Sequence, residues 1–234
     1  MADAAAIFDV DGVLLELTRQ EEDAFFHHFE AIHGLTGLSR DWDSYRIRND
    51  EDIITEILER HFGRAPEHRE LRHLIDAYTR HVTEGVRDGG FVPVRIDGAD
   101  ALLKALNSHV ALGVATANLI DVARVRLAQT GLWNFVSAYP HGADGGGAKR
   151  AVLARAIAAT GLPCERIVFV GDNLNDVDAG LSNGVHFIGF SLDPARRARL
   201  AAAGAPVTCA NHLETLQQIK RLLKLDAMAM NPAL

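Results

Sequence analysis

Two aspartates one residue apart follow a short apolar run near the beginning of the chain. Asp9 and Asp11 come directly after the apolar residues 4–8, and Gly12 then lets the backbone leave sharply. Residues i and i+2 of a strand point to the same side, so both carboxylates can face one site. Asp-Gly is also a common turn pair, and a surface turn is the alternative interpretation. Two like charges this close repel unless a cation or a basic group offsets them, which favours a site.

The residues that could complete such a site come later in the chain, mostly where further apolar runs end. They are Thr116, Ala117, Asn118, Lys149, Asp172 and Asp176. Asp172 and Asp176 share one helical face if a helix begins just after Asp172. Taken alone, each residue also has an interpretation that needs no functional site. Asp172 could be the N-cap of a helix, and Lys149 could be a solvated residue at a helix start. Ligands bind at the carboxyl ends of strands in open α/β sheets, so we expect these side chains to lie together.

The elements that would position these residues alternate between strands and helices. Apolar runs without internal alternation predict buried parallel strands, at 4–8, 110–115, 135–138, 167–170, 185–190 and 206–209. Amphipathic or alanine-rich segments predict helices at 101–106, 121–129, 149–160, 175–181 and 212–225. This order predicts an α/β fold with a doubly wound parallel sheet and right-handed crossovers. The tail at 226–234 shows no periodicity and is expected to be loose.

One segment interrupts this alternation directly after the first strand. Residues 16–88 carry aromatic residues and leucines at helical spacing, separated by charges, and predict about four helices with no strand. We therefore predict an α/β core formed by 1–15 and 91–234, and an inserted helical cap at 16–90. An insertion at the carboxyl end of the first strand has to lie over the site, as a lid would.

The composition narrows the class of partner. The chain has 234 residues and a formal net charge of −7, which argues against a nucleic-acid partner because phosphate backbones need a basic surface. No apolar run reaches the length of a membrane span, and no signal peptide is visible. The two cysteines match no metal-binding spacing. We expect a cytoplasmic protein, a monomer or homodimer, without a nucleic-acid or membrane partner.

Four motifs in this order resemble those of the haloacid dehalogenase-like superfamily. They are D-V-D-G-V-L at the first strand, V-A-T-A-N at the second, Lys149, and V-F-V-G-D-N-L-N-D at the fourth. The inserted helices are placed like the cap of that family. The resemblance implies a Rossmann-like core and phosphoryl transfer through an aspartyl-phosphate, with Mg²⁺ as cofactor.

The resemblance also implies a role for each residue. Asp9 would be the nucleophile, Asp11 the general acid and base, and Lys149 the cation that balances the charge of the phosphate. The implied Mg²⁺ ligands are Asp9, the backbone carbonyl of Asp11, Asp172 and Asp176. Phosphate oxygens would be bound by Thr116, Ala117, Asn118 and Lys149.

Asp11 indicates the type of enzyme within the family. A halide leaving group needs no proton but an alkoxide does, so an acid at this position favours a phosphatase over a dehalogenase. The T-A-N and G-L-W stretches resemble the phosphoglycolate phosphatase-like branch, which acts on a small phosphate ester. A phosphomutase, or a phosphate-binding regulatory module without turnover, are the alternatives.

Two choices between neighbouring cations stay open at this point. Arg46 or Arg48 in the cap could pair with a carboxylate or a second phosphate of the substrate, and we favour Arg48. Lys149 and Arg150 are adjacent, and successive helical residues differ by about 100° in direction, so only one can point into the site. We favour Lys149, which directly follows the run of glycines.

Overall fold

A six-stranded sheet forms the core of the computed structural model, which describes residues 2–225 and so excludes the predicted loose tail. The strands are β1 (Ala5–Phe8), β2 (Ala111–Ala115), β3 (Tyr139–His141), β4 (Ile167–Gly171), β5 (His186–Phe190) and β6 (Thr208–Cys209). Their order across the sheet is β3-β2-β1-β4-β5-β6, and every pairing is parallel. Helices lie between consecutive strands. The predicted doubly wound parallel α/β fold is therefore confirmed.

The first strand lies in the middle of the sheet. Ala5 of β1 is paired with Ala111 of β2 on one side and with Ile167 of β4 on the other. All four residues of β1 are buried, which explains why the strand is apolar on both faces. The strand order reverses at β1, and this crevice is where open α/β sheets bind ligands. Asp9 and Asp11 follow β1 at that edge.

The helices divide into a cap group and a core group. The cap helices are α1 (Arg19–His33), α2 (Asp50–Phe62) and α3 (His68–Arg87), with a short 3₁₀ helix at Trp42–Ser44. The core helices are α4 (Ala99–Leu106), α5 (Ile120–Gln129), α6 (Trp133–Val136), α7 (Lys149–Thr160), α8 (Leu174–Ser182), α9 (Pro194–Ala202) and α10 (His212–Leu223). A second 3₁₀ helix at Cys164–Arg166 precedes β4.

The cap helices pack around an apolar cluster that also includes Leu119 and Val122 at α5, and two adjacent linkers join the cap to the sheet. Phe25 lies at its centre, with Trp42 and Tyr78 packed against it edge to face. The linkers run side by side, because Glu16 N–H donates to the carbonyl of Val94 and Ile96 N–H to the carbonyl of Leu14. The insertion therefore leaves and re-enters the core at one place.

The structure differs from the sequence-based expectation in three elements. The strand predicted at 135–138 is wrong: Trp133–Val136 is a short helix, and the edge strand follows it at Tyr139–His141. Helix α9 was not predicted, although Asp193 caps it and Pro194 occupies its first turn. Where about four cap helices were expected, the described residues form three α-helices and a 3₁₀ turn. None of the helices at 2–225 has the length and apolar character needed to cross a membrane.

Candidate active site

A buried lysine joins two aspartates at the carboxyl edge of the sheet. Lys149 Nζ lies 2.8 Å from Asp9 Oδ2 and 2.9 Å from Asp176 Oδ1. Lys149 is the first residue of α7, and its side chain is almost fully buried. Arg150, the alternative cation, is exposed. The structure thus places the lysine, and not the arginine, beside the predicted nucleophile.

Asp176 is held by the beginning of its own helix. Its Oδ2 accepts hydrogen bonds from the backbone N–H groups of Asp172 and Asn173, at 3.2 and 3.1 Å, while Asn173 is the N-cap of α8. Gly171 has to be glycine here, since a Cβ atom would lie 2.3 Å from the Cβ of Asp176. The capping geometry leaves Oδ1 of Asp176 directed at Lys149.

Asp172 faces the nucleophile across a position that only glycine can occupy. Gly12 has φ of 76°, and a Cβ atom there would lie 2.2 Å from a carboxylate oxygen of Asp172. The same carboxylate pairs with Arg196 of α9, a half-buried cation that the sequence motifs did not include. Asp172 therefore lies beside the Asp9–Asp11 turn, as the predicted site requires.

The buried carboxylates form a donor set that fits a divalent cation. One oxygen each of Asp9, Asp172 and Asp176 lies within 4.8 Å of the others. Burial raises the pKa of Asp9 well above its ordinary value, with Asp176 and Asp172 adding to the rise and Lys149 opposing it. Burial and Asp176 likewise raise the pKa of Asp172 to about 6. Lys149 pairs with Asp9 and Asp176 and Arg196 with Asp172, so three carboxylates face two cations and one negative charge is left over. Carboxylate oxygens are ligands that Mg²⁺ prefers.

Asp11 is held by a buried arginine that sequence reasoning missed. Arg126 of α5 is 1% exposed, and its Nη2 lies 2.6 Å from Asp11 Oδ1. Asn118 donates to Asp11 Oδ2 at 2.9 Å and accepts from Arg126 Nη1 at 2.8 Å. Arg126 also pairs with Glu21 of α1, so one guanidinium joins Asp11 to the cap. The side chain of Asn118, a residue predicted to bind phosphate, belongs to this network.

One cavity of about 340 Å³ is lined by most of these residues. Asp9, Asp11, Lys149 and Asp172 line its inner end, and Thr116 and Ala117 of the turn after β2 lie beside them. The side chain of Asp176 lies behind Lys149 and outside this lining. All the other predicted core residues therefore face one enclosed space between the core and the cap.

The cap covers this space through the beginning of α2. Asn49 Nδ2 donates to the carbonyl of Gly147 at 2.7 Å, and Gly147 N–H donates to Asp52 Oδ2 at 2.7 Å. The three consecutive glycines of this loop all have positive φ, which explains the glycine run before Lys149. The cap thus contacts the loop that leads directly into the buried lysine.

The two cap arginines occupy different environments. Arg48 lines the cavity and pairs with Asp43 at 2.9 Å. Arg46 points away, is mostly exposed, and pairs with Glu56 and Glu59 of α2. Of the two candidates, the structure brings only Arg48 to the cavity.

Asp50 is a buried acid at the junction of cap and core. Its N–H donates to the carbonyl of Ala117, and its Oδ2 accepts from the N–H of Leu119 at 2.9 Å. Burial raises the pKa of Asp50 to about 7, although the Leu119 hydrogen bond opposes the rise. The folded protein therefore keeps this proton to a higher pH than the unfolded chain, whose aspartates titrate near pH ~4. The stabilisation that protonated Asp50 gives the folded protein is therefore lost as the pH rises from about 4 to about 7.

Replacing Asp50 with asparagine should stabilise the protein at high pH. The Asp50→Asn variant keeps an oxygen for the Leu119 N–H but removes the buried charge, so the gain should be larger at pH 8 than at pH 5, by on the order of 2–3 kcal/mol. Thermal unfolding at both pH values measures it, with the exposed Asp178→Asn as a control that should change neither. An equal shift at the two pH values would contradict the assignment.

Comparisons with known proteins agree with this geometry. A family model described as haloacid dehalogenase-like hydrolase matches residues 4–184. The fold is similar to that of CbbY from Rhodobacter sphaeroides in complex with phosphate, at TM-score 0.71 and 21% identity, covering 92% of this chain and 96% of that one. It is also similar to a family IA, variant 3 hydrolase from Entamoeba histolytica, at TM-score 0.70 and 17% identity, covering 94% and 99%. No curated protein matches the chain.

Proposed function

The chain belongs to the haloacid dehalogenase-like hydrolase family, as its motifs predict, and on this basis we propose that it is a magnesium-dependent phosphatase acting on a small phosphate monoester. The observation that carries the proposal is the contact of Lys149 Nζ with Asp9 Oδ2, in a cavity that also holds Asp11. A positioned carboxylate, a buried cation beside it and an acid two residues on are the parts that phosphoryl transfer from an alcohol requires.

Asp9 acts as the nucleophile. Its carboxylate oxygen forms a bond to phosphorus while the bond from phosphorus to the alcohol oxygen breaks, which leaves a phosphorylated Asp9 and the free alcohol. Water then attacks the phosphorus, and the products are inorganic phosphate and the original carboxylate. Bound through Asp9, the Asp11 carbonyl, Asp172 and Asp176, Mg²⁺ would supply the positive charge that lets a carboxylate and a phosphate approach.

Asp11 moves the protons of both steps. It gives a proton to the departing alcohol oxygen and takes one from the attacking water. The hydrogen bonds from Asn118 and Arg126 hold its carboxylate at the cavity. Thr116, the amides of Ala117 and Asn118, and Lys149 bind the phosphate oxygens, and Arg48 contacts the substrate at the cap side.

A direct assay tests this function. The purified protein should release inorganic phosphate from p-nitrophenyl phosphate when Mg²⁺ is present, and chelation by EDTA should stop the release. Absence of Mg²⁺-dependent release from this and from a panel of phosphorylated metabolites would overturn the proposal. A requirement for a sugar bisphosphate before any turnover would identify a phosphomutase instead.

The acid role of Asp11 predicts a dependence on the leaving group. The Asp11→Asn variant should lose roughly 10²–10⁴-fold in kcat/KM with an alkyl phosphate, whose alkoxide needs a proton. It should lose much less with p-nitrophenyl phosphate, whose leaving group is stable as an anion. Parallel kinetics with the two esters measure the difference. An equal loss for both would show that Asp11 has another role.

A further inference from the structure

We infer that the cap end of the cavity selects phosphate esters whose alcohol is compact, uncharged and largely apolar, with the hydroxyl of Tyr78 hydrogen-bonding to it. This inference rests on the proposed function and specifies its substrate class. The inferred substrate class excludes phosphoglycolate and sugar bisphosphates, because these esters carry a second anionic group.

Apolar side chains line one part of the cavity beyond the phosphate end, beside the charged side chains of Glu22, Arg48 and Arg126. Phe25, Ile53 and Val82 of the cap face Val122 of α5 across this space, and Trp42 closes one side. Apolar walls with a few placed polar groups are the usual composition of a small-molecule site, and a volume of about 340 Å³ lies at the small end of such sites. A compact apolar body fits this end of the cavity.

Tyr78 provides one of the placed polar groups. The residue is 6% exposed, and its ring packs edge to face on Phe25, with centroids 5.2 Å apart. Its hydroxyl has no hydrogen-bond partner among residues 2–225, although the side chain lines the cavity. By contrast, the other buried cap tyrosine, Tyr45, donates its hydroxyl to the carbonyl of Ser39 at 2.7 Å. The hydroxyl is open to the cavity, where an atom of the ligand can accept its hydrogen bond.

The charges at this end disfavour a second anion. Arg126 is already paired with Asp11 and Glu21, and Arg48 with Asp43. A further carboxylate, Glu22, lines the cavity and accepts a hydrogen bond from Trp42 Nε1 at 3.0 Å, with no cation within 4 Å in the described chain. A carboxylate or second phosphate on the substrate would lie beside this acid, and like charges in contact are strongly unfavourable.

Kinetics with matched esters test the inference. In the presence of Mg²⁺, n-butyl phosphate and 2-phenylethyl phosphate should have kcat/KM at least ~10-fold above those of 2-phosphoglycolate and fructose 1,6-bisphosphate. Glu22→Gln should raise kcat/KM for 2-phosphoglycolate relative to n-butyl phosphate. A preference of the native enzyme for either anionic ester would overturn the inference.

The role of Tyr78 has its own matched pair of probes. 2-Methoxyethyl phosphate replaces one methylene of n-butyl phosphate with an ether oxygen, which can accept a hydrogen bond. Tyr78→Phe should lower the ratio of kcat/KM for the ether ester to that for the butyl ester by roughly 5–10-fold. Tyr45→Phe, which removes a hydroxyl outside the cavity, is the control and should leave the ratio unchanged. An unchanged ratio in Tyr78→Phe would overturn the assignment of its hydroxyl.

Binding measurements distinguish a failure of this inference from a failure of the proposed function. Calorimetric titration of the Asp9→Asn variant with the same esters and Mg²⁺ measures affinity without turnover. If no ester is hydrolysed by the native protein, the phosphatase proposal fails, and the affinities alone decide the selectivity. Tighter binding of the uncharged esters would support the inference, and equal or tighter binding of the anionic esters would overturn it.

Discussion

Replacing Asp9 with asparagine should abolish turnover while leaving the fold intact. An amide oxygen cannot form the phosphorylated intermediate, so kcat should fall by roughly 10³-fold or more, as expected when the nucleophile of a covalent mechanism is lost. Stability should not fall, because the pKa of Asp9 is raised by burial and by neighbouring acids, which means that its charge is disfavoured in the folded protein. Lys149 would keep Asp176 as a partner.

Phosphate release and thermal unfolding, measured on the same preparation, test this expectation. Asp178→Asn is the matched control, because it removes an exposed carboxylate from the same sequence region as Asp172 and Asp176 without touching the cavity. Acid quenching during turnover, followed by mass analysis of peptides, should find phosphate on Asp9 in the native enzyme. Near-native activity of Asp9→Asn would end the proposed mechanism.

Truncating Lys149 should cost turnover and stability together. The ammonium balances Asp9, Asp176 and the incoming phosphate, so Lys149→Ala should lower kcat/KM by roughly 10²–10⁴-fold. The variant leaves two buried carboxylates without their cation, and the free energy of unfolding should fall, by up to about 3–5 kcal/mol. Burial lowers the pKa of Lys149, but Asp176 and Asp9 outweigh that effect and raise it, so the charge is present throughout the accessible pH range.

The neighbouring arginine supplies the control for Lys149. Arg150→Ala removes an exposed cation one residue further along α7 and should change neither activity nor stability by much. Denaturant unfolding and phosphate release measured for both variants give the comparison. A large loss in Arg150→Ala with little in Lys149→Ala would transfer the role to the arginine and contradict the contacts of Lys149 Nζ.

The inner end of the site was predictable because it depends on local patterns. An apolar run followed by Asp9, or by Thr116, places a polar side chain at the edge of a parallel sheet, and the sheet brings such edges together. Asp176 was anticipated as a neighbour of Asp172 on one helical face, but Asp172 precedes the N-cap of α8, and the capping contacts of Asp176 bring the two residues together. Local sequence therefore determined both the strand ends and the acids that follow them.

The contacts between distant segments were not predictable in this way. Arg126 lies on a helix without a marked apolar face, and its partners Asp11 and Glu21 are more than a hundred residues away in the chain. Nothing in the spacing of Arg196 indicates its contact with Asp172, because the helix that carries it was itself missed. The start signal of that helix, Asp193 followed by Pro194, was present in the sequence. The free hydroxyl of Tyr78 becomes visible only when every neighbour is known.

The central position of β1 has a consequence for how the chain folds. Of the six strands of this sheet, β1 is synthesised first, yet its neighbours in the sheet begin at residues 111 and 167. The cap helices emerge in between, and their aromatic cluster is formed almost entirely from residues near in sequence. Local contacts form faster than distant ones, so the cap should become compact first and shorten the loop that β1 must close. Both edges of β1 can be paired only after β4 has emerged.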